Sequence, residues 1–209
     1  GSVEIDLVKV SGPVFEDANE RLLNLYLIAK GFANAAIFKP NGKAAQIKDY
    51  LYKKNLIILR TKYRQKSNPN FDLFNLAVEQ FRKNTGATAE NTVVLIEVLM
   101  GNVLEEQETI SDEDLKYFAE RAEYLCATGN NIMVSNFRRN NHLATFVKTF
   151  KPKHVGIATN ISNLKTIFNS DNYNKDQYTH ELLSYISGMF SKDVKLYAYP
   201  YLDRKKGEI

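Results

Sequence analysis

The chain is predicted to be an α/β protein: an open, mainly parallel sheet with helices on both faces. Two observations carry the prediction. From residue 56 onward, short apolar runs alternate with amphipathic segments of helical length, the rhythm of strands joined by helical crossovers. Thr92 to Leu99 is almost continuously apolar and rich in β-branched residues, as in a strand buried on both faces. Length narrows the choice further. The 209 residues hold one domain, but not the eight βα units of a closed barrel. The expected architecture is therefore a Rossmann-like open sheet.

The elements follow in order. Val3 to Val10 alternates apolar and polar residues and reads as a strand. Asp17 is placed to cap a helix over residues 18–30, closed by Gly31. Ala35–Phe38 reads as a short strand and Pro40-Asn41-Gly42 as a turn. Residues 44–53 fit a strand and a helix equally well. The first ~50 residues thus break the βα rhythm and add edge strands and one helix. Leu56–Leu59 is a strand, and residues 71–83 a helix ended near Thr85-Gly86. Ser111-Asp112-Glu113-Asp114 resembles a capping box opening a helix to about Thr128, with Gly129 beyond it. Strands follow at Ile132–Ser135, His154–Ala158 and Val194–Tyr199. Between them lie helices at 140–150, 162–168 and 176–190, the first stopped by Lys151-Pro152. Gly1-Ser2 reads as a cloning remnant, and residues 3–209 as one α/β domain cut from a longer chain.

Composition is that of a globular domain, with 44% hydrophobic and 25% charged residues. The net charge of +4 is too small to imply nucleic-acid binding. Its distribution is uneven. Between Lys39 and Lys66 stand nine Lys or Arg against one acid, Asp49, whereas acids dominate between Glu105 and Glu123. Two such lobes can steer an anion or promote association of copies, and can equally be solvated faces. The single cysteine, Cys126, excludes a disulfide framework within the chain and fits a reducing cytoplasm. It falls in an apolar helical pattern and reads as core packing. No apolar run approaches the ~20 residues needed to span a bilayer.

In open α/β sheets ligands bind beyond the carboxyl ends of the strands. Arg60, Thr61, Lys62, Tyr63 and Arg64 follow the strand at 56 and lead, past Ser67 and Asn70, to the helix at 71. Helix N-termini attract anions through unpaired N–H groups and the helix dipole. Around this loop a second group is expected: Glu97, Ser135, Asn136, Arg138, Asn160 and Ser162. These residue types suit phosphate or carboxylate. Glu97 interrupts a buried run, so it is either paired with an arginine or functional. His142, His154 and His180 are dispersed, and no metal site is expected. Tyr197 and Tyr199 alternate on the last strand, followed by Tyr201, and read as core or subunit packing. No Walker loop and no G-x-G-x-x-G occurs.

The segment Thr61-Lys62-Tyr63-Arg64-Gln65-Lys66-Ser67-Asn68-Pro69-Asn70 resembles G-x-F-x-P-x-[HT]-x-G-H. That is the signature of the nucleotidylyltransferase superfamily, which includes nicotinate and nicotinamide nucleotide adenylyltransferases. Tyr63 matches the aromatic position, while Thr61 and Gln65 replace glycine and proline, and Ser67 and Asn70 stand at the two histidine positions. The second family motif, I-S-x-T-x-x-R, has only faint echoes in Ile161-Ser162-Asn163 and Val134-Ser135-Asn136-Phe137-Arg138. More broadly, Val-Ser-Gly-Pro at 10–13, Leu-Tyr-Lys-Lys at 51–54 and Lys-Leu-Tyr-x-Tyr-Pro at 195–200 are similar to the C-terminal region of long bacterial proteins carrying that adenylyltransferase label. The resemblance implies a Rossmann-like fold, a nucleotide or phosphorylated small molecule as partner, and ATP with Mg as cofactor. The missing histidines imply weak or lost catalysis. Three readings stand: a nucleotide- or phosphate-binding domain, an active adenylyltransferase, and a non-catalytic interaction domain, with a further domain or a second copy as partner.

Overall fold

The computed structural model describes residues 5–10, 12–15, 19–62, 71–100, 103, 109–169, 178–190 and 194–199. Among the described residues seven strands are present: β1 (Ala35–Phe38), β2 (Ala44–Ala45), β3 (Asn55–Lys62), β4 (Thr92–Leu99), β5 (Asn131–Ser135), β6 (His154–Asn160) and β7 (Val194–Tyr199). The helices are α1 (Glu20–Ala29), α2 (Ile47–Leu51), α3 (Phe71–Thr85), α4 (Asp112–Ala127), α5 (Asn140–Thr149), α6 (Ile161–Ile167) and α7 (Tyr178–Met189).

The strands form one open sheet in the order β2-β1-β5-β4-β3-β6-β7. β5, β4, β3, β6 and β7 are parallel, and β1 and β2 add an antiparallel edge. Numbered by their place in the chain, the five parallel strands run 3-2-1-4-5. This is the doubly wound, Rossmann-like order, in which successive strands are laid down to one side of the first and then to the other. The reversal falls between β3 and β6.

Alternation along the strands builds two apolar layers. Ile57 and Leu59 of β3 join Ile96, Val98, Ile132 and Val134 beneath α1, α3 and α4, where Leu25, Phe81 and Phe118 are fully buried. Leu56 and Ile58 point to the other face with Leu95, Met133, Val155 and Ile157, covered by α2 and by Leu143 and Val147 of α5. A smaller cluster of Ile167, Tyr185 and Met189 packs α6 against α7.

Helix ends follow local chemistry. The Ser111 side chain accepts from the Asp114 N–H while Asp114 reaches back to the Ser111 N–H, closing the expected capping box of α4. Gly129, beyond its end, takes φ +87°, a conformation glycine adopts without a Cβ clash. α1 departs from expectation. It starts at Glu20, because the Asn19 side chain caps the Leu22 N–H; Asp17 lies outside the described residues.

The first fifty residues hold one correction and one ambiguity resolved. Residues 5–10 are not a strand. The Asn24 side chain accepts from the Val8 N–H and donates to the Val8 carbonyl, and the Ile5 N–H donates to Phe32 O. These bonds satisfy an extended segment without a neighbouring strand, which alternation alone cannot distinguish. The ambiguous stretch at 44–53 is both things in turn, β2 and then the short helix α2.

Cys126 lies on the inner face of α4, 3% exposed, with its Sγ donating to Phe38 O at 3.9 Å. Burial pushes its thiol up to about 11 from 9.0, the neighbouring Arg21 and Glu123 acting in opposite senses. Because the folded state favours the neutral thiol, this contribution to stability is complete below the unfolded value near 9.0 and is lost as pH rises toward about 11. In an Ellman assay at pH 8, Cys126 is expected to react only as fast as the chain unfolds, and denaturant restores ordinary thiol kinetics. Fast labelling of the native protein would contradict the burial.

Candidate functional site

The parallel sheet brings one predicted residue group to a common end. Arg60, Thr61 and Lys62 close β3; Glu97 lies near the end of β4; Ser135 ends β5; Asn160 ends β6. Asn136 and Arg138 follow β5, and Ser162 lies in the first turn of α6. The strands β5, β4, β3 and β6 are adjacent, so these positions share one rim. Tyr63, Arg64, Ser67 and Asn70 lie outside the described residues.

A buried polar network occupies this end of the sheet. Arg60 and Glu97 are direct cross-strand partners in the β3–β4 register. The Arg60 Nε donates to Glu97 Oε2 at 2.5 Å and Nη2 to Oε1 at 3.3 Å. Nη2 also donates to Phe137 O at 2.5 Å, and Nη1 to Asn140 Oδ1 at 2.7 Å. Ser135 Oγ donates to Glu97 Oε1 at 2.5 Å, and Thr61 Oγ1 donates to the Glu97 carbonyl at 2.8 Å. The Glu97 side chain is 0% exposed and that of Arg60 only 9%. A charge removed from water to this degree needs both a counterion and hydrogen bonds on its remaining atoms, and each partner supplies them to the other. Of the two readings of Glu97, arginine pairing is the one the geometry bears out.

This assignment alters the roles of the rim residues. The Arg60 guanidinium spends four hydrogen bonds on protein groups and is oriented inward. Its function is to tie the end of β3 to the β5–α5 connection. The Glu97 carboxylate accepts from Arg60 and Ser135, so both its oxygens are occupied, and the Ser135 hydroxyl is spent as a donor to that carboxylate. The Asn160 side chain accepts from the Asn163 N–H at 2.7 Å and caps α6. The Asn136 N–H donates to Asn34 O at 3.1 Å, and Arg138 is exposed beside it. Asn140 and the Phe137 carbonyl were not anticipated. Nothing in the run Arg138-Arg139-Asn140-Asn141 marks one asparagine as the partner of an arginine 80 residues earlier. Among the described residues no group of three or more His, Cys, Asp or Glu is arranged to hold a metal.

The position of β3 is the decisive geometric fact. It is the first parallel strand and borders the reversal of strand order, facing β6 across the switch point. The chain leaving Lys62 leads to the N-terminus of α3 at Phe71. A ligand crevice of doubly wound sheets opens at this place, because the connections on either side turn away to opposite faces. No family model matches the chain, and no curated protein matches it.

An open groove of roughly 620 Å³ lies elsewhere, between α3 and β7, lined by Leu76, Gln80, Lys83, Leu196, Tyr197 and Tyr199 among others. Its aromatic residues are core. Tyr197 packs edge-on against Phe81, with ring centroids 5.9 Å apart, and burial pushes the phenols of Tyr197 and Tyr199 up. The groove is flanked by one helix and a sheet edge, and of its polar groups Gln80 bonds to Asn84 and Asn84 to the Tyr197 hydroxyl.

Among the described residues no helix is long and apolar enough to cross a membrane.

Proposed function

We propose that the domain binds a nucleotide or phosphorylated small molecule at the carboxyl end of β3, as an adenylyltransferase-like domain with weak or lost catalysis. The observation that carries this reading is the strand order. It puts the end of β3 at the switch point, and the sequence supplies Lys62, Tyr63, Arg64, Ser67 and Asn70 between that strand and the fifteen-residue helix α3. Unpaired N–H groups at that helix end, together with flanking cations, favour phosphate. Thr61 is committed to the Glu97 carbonyl and Arg60 to Glu97. These two hold the end of β3, and the reading assigns contact with the ligand to Lys62 and Arg64. Weak or lost catalysis follows from the chemistry of the rim: the family histidines are replaced by Ser67 and Asn70, and the carboxylate and hydroxyl of the network satisfy one another. Because Glu97 is occupied, it is no ligand for Mg; ATP would bring the ion on its own phosphates.

Isothermal titration with ATP and with nicotinate mononucleotide tests the reading. Binding of a triphosphate that weakens about tenfold in Arg64→Ala is expected, a loss in the range of a charge-assisted hydrogen bond. The absence of heat with every nucleotide would remove both the binding and the enzymatic readings. Pyrophosphate release in the presence of both ligands would shift the conclusion to an active adenylyltransferase.

A further inference from the structure

The lysine-rich stretch beginning at Lys39 does not belong to the rim just described. β3 runs through it and separates its halves. Lys54 precedes the strand and Arg60 lies near its other end, roughly 20 Å away at about 3.3 Å per residue. At the amino end, Lys53 and Lys54 meet a second lysine loop. The Lys53 N–H donates to Lys151 O at 3.1 Å and the Lys153 N–H to Lys54 O at 2.8 Å. The β1–β2 turn carries Lys39 and Lys43 to the same end, because Phe38 pairs with Ile132 near the start of β5. From β1 to β6 this end spans four strand spacings, about 20 Å at 4.8 Å each.

Two features of the lysines are costly to the fold. Lys53 and Lys151 take φ +55° and +53°, and the other described residues with positive φ are all glycines. A side chain with a Cβ is disfavoured there, and asparagine or glycine is the ordinary solution. The backbones of these two strained lysines also meet, the Lys53 N–H donating to Lys151 O. None of Lys39, Lys43, Lys53, Lys54, Lys151 and Lys153 pairs with a carboxylate among the described residues. The exposed acids near this end are Asp49, Glu90 and Glu123, the last paired with Arg21, whose guanidinium reaches Gly42 of the β1–β2 turn. Lysine where the backbone favours glycine, among further lysines, points to a use for the charge.

We propose that this end of the sheet binds the phosphate backbone of a single-stranded nucleic acid without regard to sequence. A row of cations over about 20 Å meets several successive phosphates. Tyr52, about half exposed and stacked with the Lys53 ammonium 5.1 Å from its ring, offers a face for a base. A membrane surface fits less well, because Leu51 is fully buried and the two loops present lysine and tyrosine, without the apolar side chains that enter lipid.

Fluorescence anisotropy of a labelled 20-nucleotide single-stranded DNA of mixed sequence tests the proposal, between 50 and 200 mM salt. Wild type is expected to bind with a steep salt dependence. Lys53→Asn/Lys151→Asn keeps residues that tolerate the left-handed backbone, so its melting temperature is expected to equal or exceed that of wild type. Its affinity is expected to fall at least about fivefold at 50 mM salt, with the slope of log K against log salt shallower by about 1.4, or 0.7 per lost phosphate contact. Saturating ATP should leave oligonucleotide binding unchanged, because the proposed nucleotide site is at the opposite end. No binding by wild type, an unchanged slope in the double variant, displacement by ATP, or binding to phosphatidylserine vesicles in place of the oligonucleotide would each overturn the proposal.

Discussion

Glu97→Ala is expected to destabilise the domain by about 3–5 kcal/mol, the cost of leaving a buried charge without its partner. Arg60 would stay in place with its side chain 9% exposed, still bonded to Asn140 and Phe137 but facing a cavity where its counterion was. Arg60→Ala should cost a similar amount, since it strands a fully buried carboxylate and frees the β5–α5 connection. The decisive comparison is the double variant Arg60→Leu/Glu97→Leu. Replacing a buried pair by apolar residues of similar volume is often close to neutral, so the double variant should be more stable than either single one. Urea denaturation read by circular dichroism measures all three. Losses below about 1 kcal/mol in both single variants would mean that the pair is solvated and that the rim is not held as described.

Phe81→Ala is expected to cost about 3–5 kcal/mol, the range for removing a fully buried phenylalanine. Phe81 is 0% exposed on the inner face of α3 and packs against Tyr197 of β7 and over Gly156 of β6. A Cβ added at Gly156 would lie 2.8 Å from Phe81 Cδ2 and 3.1 Å from Tyr197 Cε2. The absence of a side chain at 156 therefore lets the phenylalanine settle onto the strand, and with it the helix. Gly156→Ala should cost about 1–3 kcal/mol by overpacking. In a Phe81→Leu background the added methyl finds space, so the two changes should combine to less than their sum. Additive losses would show that α3 does not dock through this contact. Because α3 begins at the proposed phosphate site, Phe81→Ala should also weaken nucleotide binding, whereas Gly129, at the far side of α4, has no such link.

How much of this was legible in the sequence depends on the range of the interaction. β4 was plain, because a run of eight residues that is apolar and rich in β-branched side chains but for Glu97 fits little but a strand buried on both faces. The α4 cap was plain too, because all its atoms come from Ser111 to Asp114. The Val3–Val10 strand failed because alternation reports which side chains are buried and not what the backbone bonds to; here Asn24 takes the place of a neighbouring strand. The rim was half legible. Glu97 stood out as a charge in an apolar strand, but finding Arg60 as its partner required the β3–β4 register. Arg60 therefore moved from ligand contact to structural support. The basic run looked like one lobe because charge was counted along the chain; a strand of eight residues, Asn55–Lys62, puts Lys53 and Lys54 at one end of the sheet and Arg60 near the other.

The proposed phosphate-bearing ligand would sit where β3 ends and the strand order reverses. Two-dimensional amide spectra of the labelled protein, recorded during titration with ATP, test it most directly. Shift changes concentrated at residues 60–62, at 71–74 where α3 begins, and at 159–163 across the switch point are the predicted result. Changes confined to the groove between α3 and β7, to the lysine loops at 53 and 151, or to no amide at all would contradict it.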